Sequence, residues 1–242
     1  MSYKLELRNV SFKHKGETVL NGVNLKVEHG GVVTFGGSSG GGKSALLEIC
    51  AGLIRPSGGN VLWNGEDICG WSKYELYDRR KTIGYMFQTS ALISNHNVFD
   101  NIALPLRCGS GLKETVIKNK VALMMEKLSI CGIEKAFPEA LGAAQLKRAS
   151  LARALINDPG LLLLDEPLSG MDPAAAQNII DVLYNEWQNK KMCVIMASHS
   201  LSAWPQWSSG RFVLNGGFFE KAETKTLETR VDNLKQTAFP DE

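Results

Sequence analysis

Gly37-Ser38-Ser39-Gly40-Gly41-Gly42-Lys43-Ser44 has the residue types and spacing of a phosphate cradle, Gly-x-x-x-x-Gly-Lys-Ser. Glycines let a backbone approach a chain of phosphates closely and aim its N–H groups at the oxygens. Lys43 is placed to reach the β- and γ-phosphates, and the Ser44 hydroxyl to complete the coordination of Mg²⁺. A second grouping lies far downstream, where Leu161-Leu162-Leu163-Leu164 runs into Asp165-Glu166-Pro167. Asp165 is the candidate outer ligand of the same Mg²⁺, and Glu166, pointing differently, is placed to polarise a water for attack on the γ-phosphate. Together these residues could bind and hydrolyse a nucleoside triphosphate.

Such side chains need strands and helices to hold them. The apolar run Val32-Val33-Thr34-Phe35 reads as a strand entering the glycine loop, and Ala45-Leu46-Leu47-Glu48-Ile49 as the helix leaving it, with Ala45 among the phosphate-binding positions at its N-terminus. Leu161 to Leu164 reads as a strand buried in a parallel sheet that presents its acids at the C-terminal edge. Upstream, Tyr3-Lys4-Leu5-Glu6-Leu7 and Val23-Asn24-Leu25-Lys26-Val27 alternate as half-exposed strands, with a turn around Lys15-Gly16-Glu17 between them. Pro56 to Asn60 is a turn, Val61-Leu62-Trp63 a strand and Asn64-Gly65 a hairpin signal, which extends an antiparallel layer. From about 90 to 157 the spacing is helical, as in Val116, Val121, Met124, Met125 and Leu128, and the Met and Leu stripe of 121–128 reads as core. A helix from about Pro173 to Asn189 and strands Cys193 to Met196 and Phe212 to Leu214 then restore the α/β alternation.

The composition narrows the classes. In 242 residues, 44% apolar content is ample for a buried core, and a net charge of +2 with evenly mixed signs gives no argument for nucleic acid as a partner. No run approaches a bilayer-spanning length and no signal peptide is visible, so a cytoplasmic chain is expected, with any membrane role supplied by a partner. The cysteines, Cys50, Cys69, Cys108, Cys131 and Cys193, are widely spaced and read as buried or half-buried thiols rather than zinc ligands or disulfides. Trp204 and Trp207, flanking Pro205, are open between packing and a partner surface.

In this order the motifs resemble the nucleotide-binding subunit of ABC transporters over nearly the whole chain. Gln88, in Gly84-Tyr85-Met86-Phe87-Gln88, matches the family glutamine that contacts Mg²⁺ or water. Ser169-Gly170-Met171-Asp172 resembles the D-loop, and His199 the switch histidine at the γ-phosphate. The resemblance implies an α/β P-loop NTPase with a RecA-like core, an N-terminal antiparallel β subdomain and a helical subdomain. It implies one ATPase domain over 1–242: β subdomain and core at about 1–89 and 158–220, helical subdomain at about 90–157, tail at about 221–242. ATP and Mg²⁺ are the implied cofactors. The implied partners are a second copy or a homologous ATPase in a head-to-tail dimer and an integral membrane permease, with a small regulatory subunit on the C-terminal tail left open.

Two departures qualify the resemblance. The signature Leu-Ser-Gly-Gly-Gln, which caps the ATP of the opposing subunit, here reads Leu141-Gly142-Ala143-Ala144-Gln145. A lost hydroxyl bond to a charged group costs about 1.5–3 kcal/mol, so weakened turnover is expected. His14 stands where an aromatic residue usually stacks on adenine, with Phe12 close in sequence, and Ser200 follows His199 where an acid is common. The stretch Phe87 to Ile93, then Asn97-Val98-Phe99-Asp100-Asn101-Ile102-Ala103-Leu104-Pro105-Leu106-Arg107, looks most like the ATPases of Mla/Mce-type phospholipid systems. Lipoprotein-release and cell-division ATPases share parts of it. Two readings stay open: a transport ATPase on the cytoplasmic face of a membrane, and a nucleotide-responsive scaffold that barely hydrolyses.

Overall fold

The computed structural model describes residues 3–109, 111–199 and 205–222. The chain opens with the long strands β1 (Leu5–His14) and β2 (Glu17–Val27), paired antiparallel, followed by β3 (Val32–Gly37) and α1 (Lys43–Cys50). Next come β4 (Gly58–Trp63), β5 (Glu66–Asp67), α2 (Lys73–Arg80) and β6 (Ile83–Met86). Three helices follow, α3 (Val98–Gly109), α4 (Glu114–Lys127) and α5 (Ala143–Leu155). The remainder is β7 (Leu161–Asp165), α6 (Pro173–Lys190), β8 (Cys193–Ala197), β9 (Gly210–Asn215) and β10 (Phe218–Lys221).

The strands form an antiparallel sheet, β2-β1-β4-β5, and a six-stranded sheet, β10-β9-β3-β8-β7-β6, whose pairs from β9 to β6 are parallel. Strand alternation sends neighbouring side chains to opposite faces. Leu161 and Leu163 of β7, with Cys193 and Ile195 of β8, join the core shared with α1 and the antiparallel sheet. Leu162, Leu164, Val194 and Met196 join the core shared with α3, α4 and α5. Every residue of β7 and β8 is buried, the expected fate of a continuous apolar run between two layers.

Two expectations about burial are corrected. In α4 the buried face is Ile117, Val121, Met124 and Met125, continued by Leu128, whereas Leu123, inside the stripe expected as core, is 58% exposed; Val116, named only for its helical spacing, is 40% exposed. The helix packs one face only, and both residues project from the other. Cys108 and Cys131 are exposed, since each lies at or past a helix end; Cys50 and Cys193 are buried and Cys69 is half-buried. Trp207 stacks on Trp187 with ring centroids 5.1 Å apart, a packing role. Trp204, Ser200 and the helical pattern expected beyond Thr224 lie outside the described residues. Among the described residues, no helix is long and apolar enough to cross a membrane.

Candidate functional site

The sheet order brings the chemistry together. β3, β8 and β7 are adjacent and parallel, with Phe35 opposite Ala197 and Ala197 opposite Asp165 in register. The loops leaving their C-terminal ends therefore emerge side by side: the glycine loop, Ser198-His199 and Asp165-Glu166. β6 pairs with β7 and delivers Gln88 to the same edge. A cavity of about 440 Å³ there is lined by Ser39, Gly40, Gly42, Lys43, Ser44 and Ala45, by Gln88, Asp165, Glu166 and His199, and by Phe12, His14 and Glu48. Larger hollows elsewhere, of about 610 and 850 Å³, contain none of these residues, so chemistry rather than size picks out the site.

Gly42 makes the loop possible. It caps α1 with φ +92°, and a Cβ there would come within 2.8 Å of Val19 Cγ1, so both backbone conformation and space require glycine. Lys43 is 6% exposed, and its ammonium folds back to donate to the carbonyls of Gly37 and Ser38, each at 3.0 Å. The Gly41 N–H donates to the same Ser38 carbonyl at 3.1 Å, closing the turn. Burial pushes the Lys43 pKa down, opposed by the charges of Glu166 and Asp165.

Glu166 is 3% exposed and sits at φ +51°, a left-handed conformation unusual for a side chain of its size. Its peptide N–H donates to the Ala197 carbonyl at 3.0 Å. One carboxylate oxygen, Oε2, accepts from the His199 N–H at 3.1 Å. The other, Oε1, lies 3.3 Å from His199 Nε2 and 3.8 Å from Lys43 Nζ. Neither Glu166 Oε1 nor Asp165 Oδ1 has a hydrogen-bond partner among the described residues, although both are buried. Burial raises the Asp165 pKa, opposed by the Ser44 hydroxyl and then by Lys43 and Lys147. The orphaned Asp165 oxygen and the Ser44 hydroxyl that faces the same carboxylate are oxygen donors, the kind that fits a hard divalent cation such as Mg²⁺.

Gly142 to Gln145 and Asp172 do not line this cavity. Gly142 caps α5, its N–H donating to Gln145 Oε1 at 3.1 Å, with Ala143 and Ala144 in the first turn. Asp172 caps α6 by accepting from the Ala175 N–H at 2.9 Å. Sequence reasoning assigned no role to Glu48 or Lys147. Glu48 follows Ser44 by one helical turn, a spacing that could have been noticed. Lys147 reaches the Glu166 carbonyl from α5 at 2.6 Å, a contact with no signature in the sequence.

The ABC transporter family profile matches residues 20–169, from β2 through the glycine loop, Gln88, the altered signature and the Asp165-Glu166 pair. The chain belongs to the ABC transporter family. Within it, the chain is an ATP-binding subunit. It is 34% identical to the intermembrane phospholipid transport system ATP-binding protein MlaF of Haemophilus influenzae, over 81% of this chain and 75% of that one. It is 36% identical to the methionine import ATP-binding protein MetN of Latilactobacillus sakei, over 82% of this chain but only 59% of the relative's length. The fold matches the dimeric structure of MJ0796, a bacterial ABC transporter cassette, with a TM-score of 0.84 and 26% identity, covering 90% of this chain and 99% of that one. The same cassette has also been solved as a dimer in a post-hydrolysis state with ADP and Pi bound.

Proposed function

We propose that this ABC subunit hydrolyses ATP with Glu166 as general base and so drives a membrane permease whose cargo is a phospholipid or another lipophilic envelope component. The observation that carries the hydrolytic reading is the Glu166 carboxylate, buried at the mouth of the phosphate loop and held between the His199 backbone N–H and the Lys43 ammonium. A carboxylate fixed there is oriented to take a proton from water approaching a γ-phosphate. Gly40 to Ala45 supply backbone donors and the α1 N-terminus to the phosphates, and Phe12 and His14 flank the region where a base would stack. On binding nucleotide, Lys43 exchanges the Gly37 and Ser38 carbonyls for phosphate oxygens, a stronger charge-assisted pairing. Ser44 and Asp165, with Gln88 beside them, would hold Mg²⁺, which when bound would supply neutralisation of charge on the phosphates.

Gly142 to Gln145 and Asp172 fit contacts with a nucleotide held by an opposing subunit, since they cap their own helices away from this chain's cavity. The dimeric cassette supports such a partner, a second copy or a homologous ATPase. Docking to a permease is supported by a groove of about 460 Å³ lined by Tyr77, Phe87, Ala91, Leu104 and Pro105, next to the segment carrying Gln88. The cargo rests on the phospholipid-transport relatives; methionine and ribonucleotide transport proteins are similar at comparable identity. The subunit then works at the cytoplasmic face of the membrane. We read its domain organisation as a β subdomain and core with an inserted helical subdomain.

One observation favours a second reading, a nucleotide-gated scaffold: the signature lacks its serine. Glu166→Gln decides between them. ATP turnover of the subunit purified with its permease should fall by about 10²–10⁴-fold while ATP still binds and holds the dimer closed. Normal turnover by Glu166→Gln would sink the base assignment, and negligible turnover by both forms would favour the scaffold.

A further inference from the structure

Lys147 is a buried cation that the reading above leaves without a task. It lies on α5, five residues after the Gly142 cap, and is 7% exposed. Its ammonium does not pair with a carboxylate but donates to the backbone carbonyl of Glu166 at 2.6 Å. The Ser169 hydroxyl donates to the same carbonyl at 3.1 Å. With its N–H bonded to the Ala197 carbonyl, the Glu166 backbone is held on both sides of its Cα. Something must hold it, because φ +51° is a sparsely populated conformation for glutamate and costs about 1 kcal/mol or more. Burying an ammonium is also costly, and burial pushes the Lys147 pKa down against the attraction of Glu166 and Asp165. A neutral side chain would pack the same space without that cost, so the charge needs a return that packing does not give.

We propose that Lys147 is a positioning residue that ties the signature helix to the general base, setting the direction of the Glu166 carboxylate according to where α5 stands. The inference rests on the ATPase reading above. α5 carries the capping segment toward the neighbouring nucleotide at its N-terminus and the Glu166 carbonyl contact at its second turn, and its other large contacts are with α3 and β6. A displacement of this helix when its N-terminus engages nucleotide is carried by the ammonium to the peptide of Glu166. The reach is one side chain, with no relay through solvent.

The test compares wild type with Lys147→Met, Lys147→Gln and Lys147→Arg in the subunit purified with its permease, after thermal melts have shown which variants fold. Lys147→Met should lower kcat roughly ten- to a hundredfold with KM for ATP within twofold, the size expected for one charged hydrogen bond. Lys147→Arg, which keeps charge and donor, should recover most of the loss. A readout independent of turnover is backbone hydrogen exchange of the segment 166–171 without nucleotide. It should accelerate about tenfold in Lys147→Met and return toward wild type in Lys147→Arg. Unchanged exchange overturns the inference whether or not the wild type hydrolyses ATP, as does an equal loss in Arg and Met variants. Absent wild-type turnover with accelerated exchange refutes the ATPase reading while leaving Lys147 as the holder of that peptide.

Discussion

Restoring the whole signature, serine and both glycines, should move rate and stability in opposite directions. Gly142 has φ −69° and ψ 160°, ordinary extended backbone, and a Cβ there would meet only Gln145 Oε1 at 3.8 Å. Gly142→Ser is thus accommodated without strain. As an N-cap its hydroxyl can accept from a first-turn N–H of α5, worth a few tenths of a kcal/mol over glycine. The hydroxyl proton remains free to donate to a phosphate oxygen of the opposing nucleotide. A hydrogen bond to a charged group contributes about 1.5–3 kcal/mol, which is roughly ten- to 150-fold in turnover. Ala143→Gly and Ala144→Gly place glycine in the first turn of α5 and cost about 0.5–1 kcal/mol each. At about 2–4 °C per kcal/mol for a chain of this size, the triple variant should melt roughly 2–8 °C below wild type and still hydrolyse faster. Gly142→Ser alone should deliver most of the rate gain with Tm unchanged or slightly raised. The assay is phosphate release by the complex with permease, alongside affinity for a fluorescent ATP analogue. Turnover within twofold of wild type in a folded, ATP-binding Gly142→Ser variant would refute the assignment of this segment to the opposing phosphate.

Lys43→Met should reduce ATP affinity by roughly a hundredfold or more, measured by the same fluorescent analogue, since it removes the charge-assisted donor to the phosphates; affinity within threefold of wild type would remove Lys43 from the phosphate site. Glu186, 3% exposed on α6, is bridged by Lys127 of α4 at 2.6 Å and by Lys190 at 2.5 Å. Burial alone pushes its carboxyl up, but the two lysines outweigh it and hold the pKa below the ordinary 4.5. Stability from a depressed carboxylate is fully present above the unfolded pKa and is lost as pH falls through the folded one. Denaturation midpoints should therefore fall as pH drops from about 5 to below 4, with Asp158, held down by Lys190 and Lys120 against its burial, adding in the same direction. Glu186→Gln should cost roughly 1–3 kcal/mol at pH 7 and flatten the acid slope; a slope identical to wild type would show that Glu186 is not paired in solution.

Much of the central sheet is legible because burial on both faces leaves little choice of sequence. Leu161 to Leu164 and Cys193 to Met196 are apolar without interruption, and a strand covered on both sides is the structure such runs fit. The phosphate loop is legible for a different reason: Gly42 has no tolerated substitute at φ +92° against Val19, so its constraint is written in residue type. Helix faces are less legible. The stripe over 121–128 expected as core takes in Leu123, which is 58% exposed because it projects from the helix face opposite Val121, Met124 and Met125. Lys147 was invisible for the same physical reason that makes it informative. A lysine on a helix ordinarily lies in solvent, and its partner here is a backbone carbonyl, which every residue possesses.

Gly142 to Gln145 and Asp172 follow a third logic. The family resemblance assigns them to nucleotide, yet within the chain they do not line the cavity that Lys43 and Glu166 line. Both observations hold together if the site is built from two subunits, each contributing its cap to the other's nucleotide. The consequence concerns where the altered signature acts. On the function proposed above, the phosphate loop, Asp165, Glu166 and His199, which line one cavity, would meet this chain's own nucleotide from within. On the same reading, what would lack the serine hydroxyl is the cap this chain offers to its neighbour. In a homodimer both sites are weakened equally. In a heterodimer with an intact signature, the nucleotide on this chain is fully capped and the one on the partner is not. A mixed dimer in which this chain carries Lys43→Met should then lose most of its turnover, whereas the equivalent lysine change in the partner should cost little. Equal losses from the two substitutions would point instead to a symmetric pair.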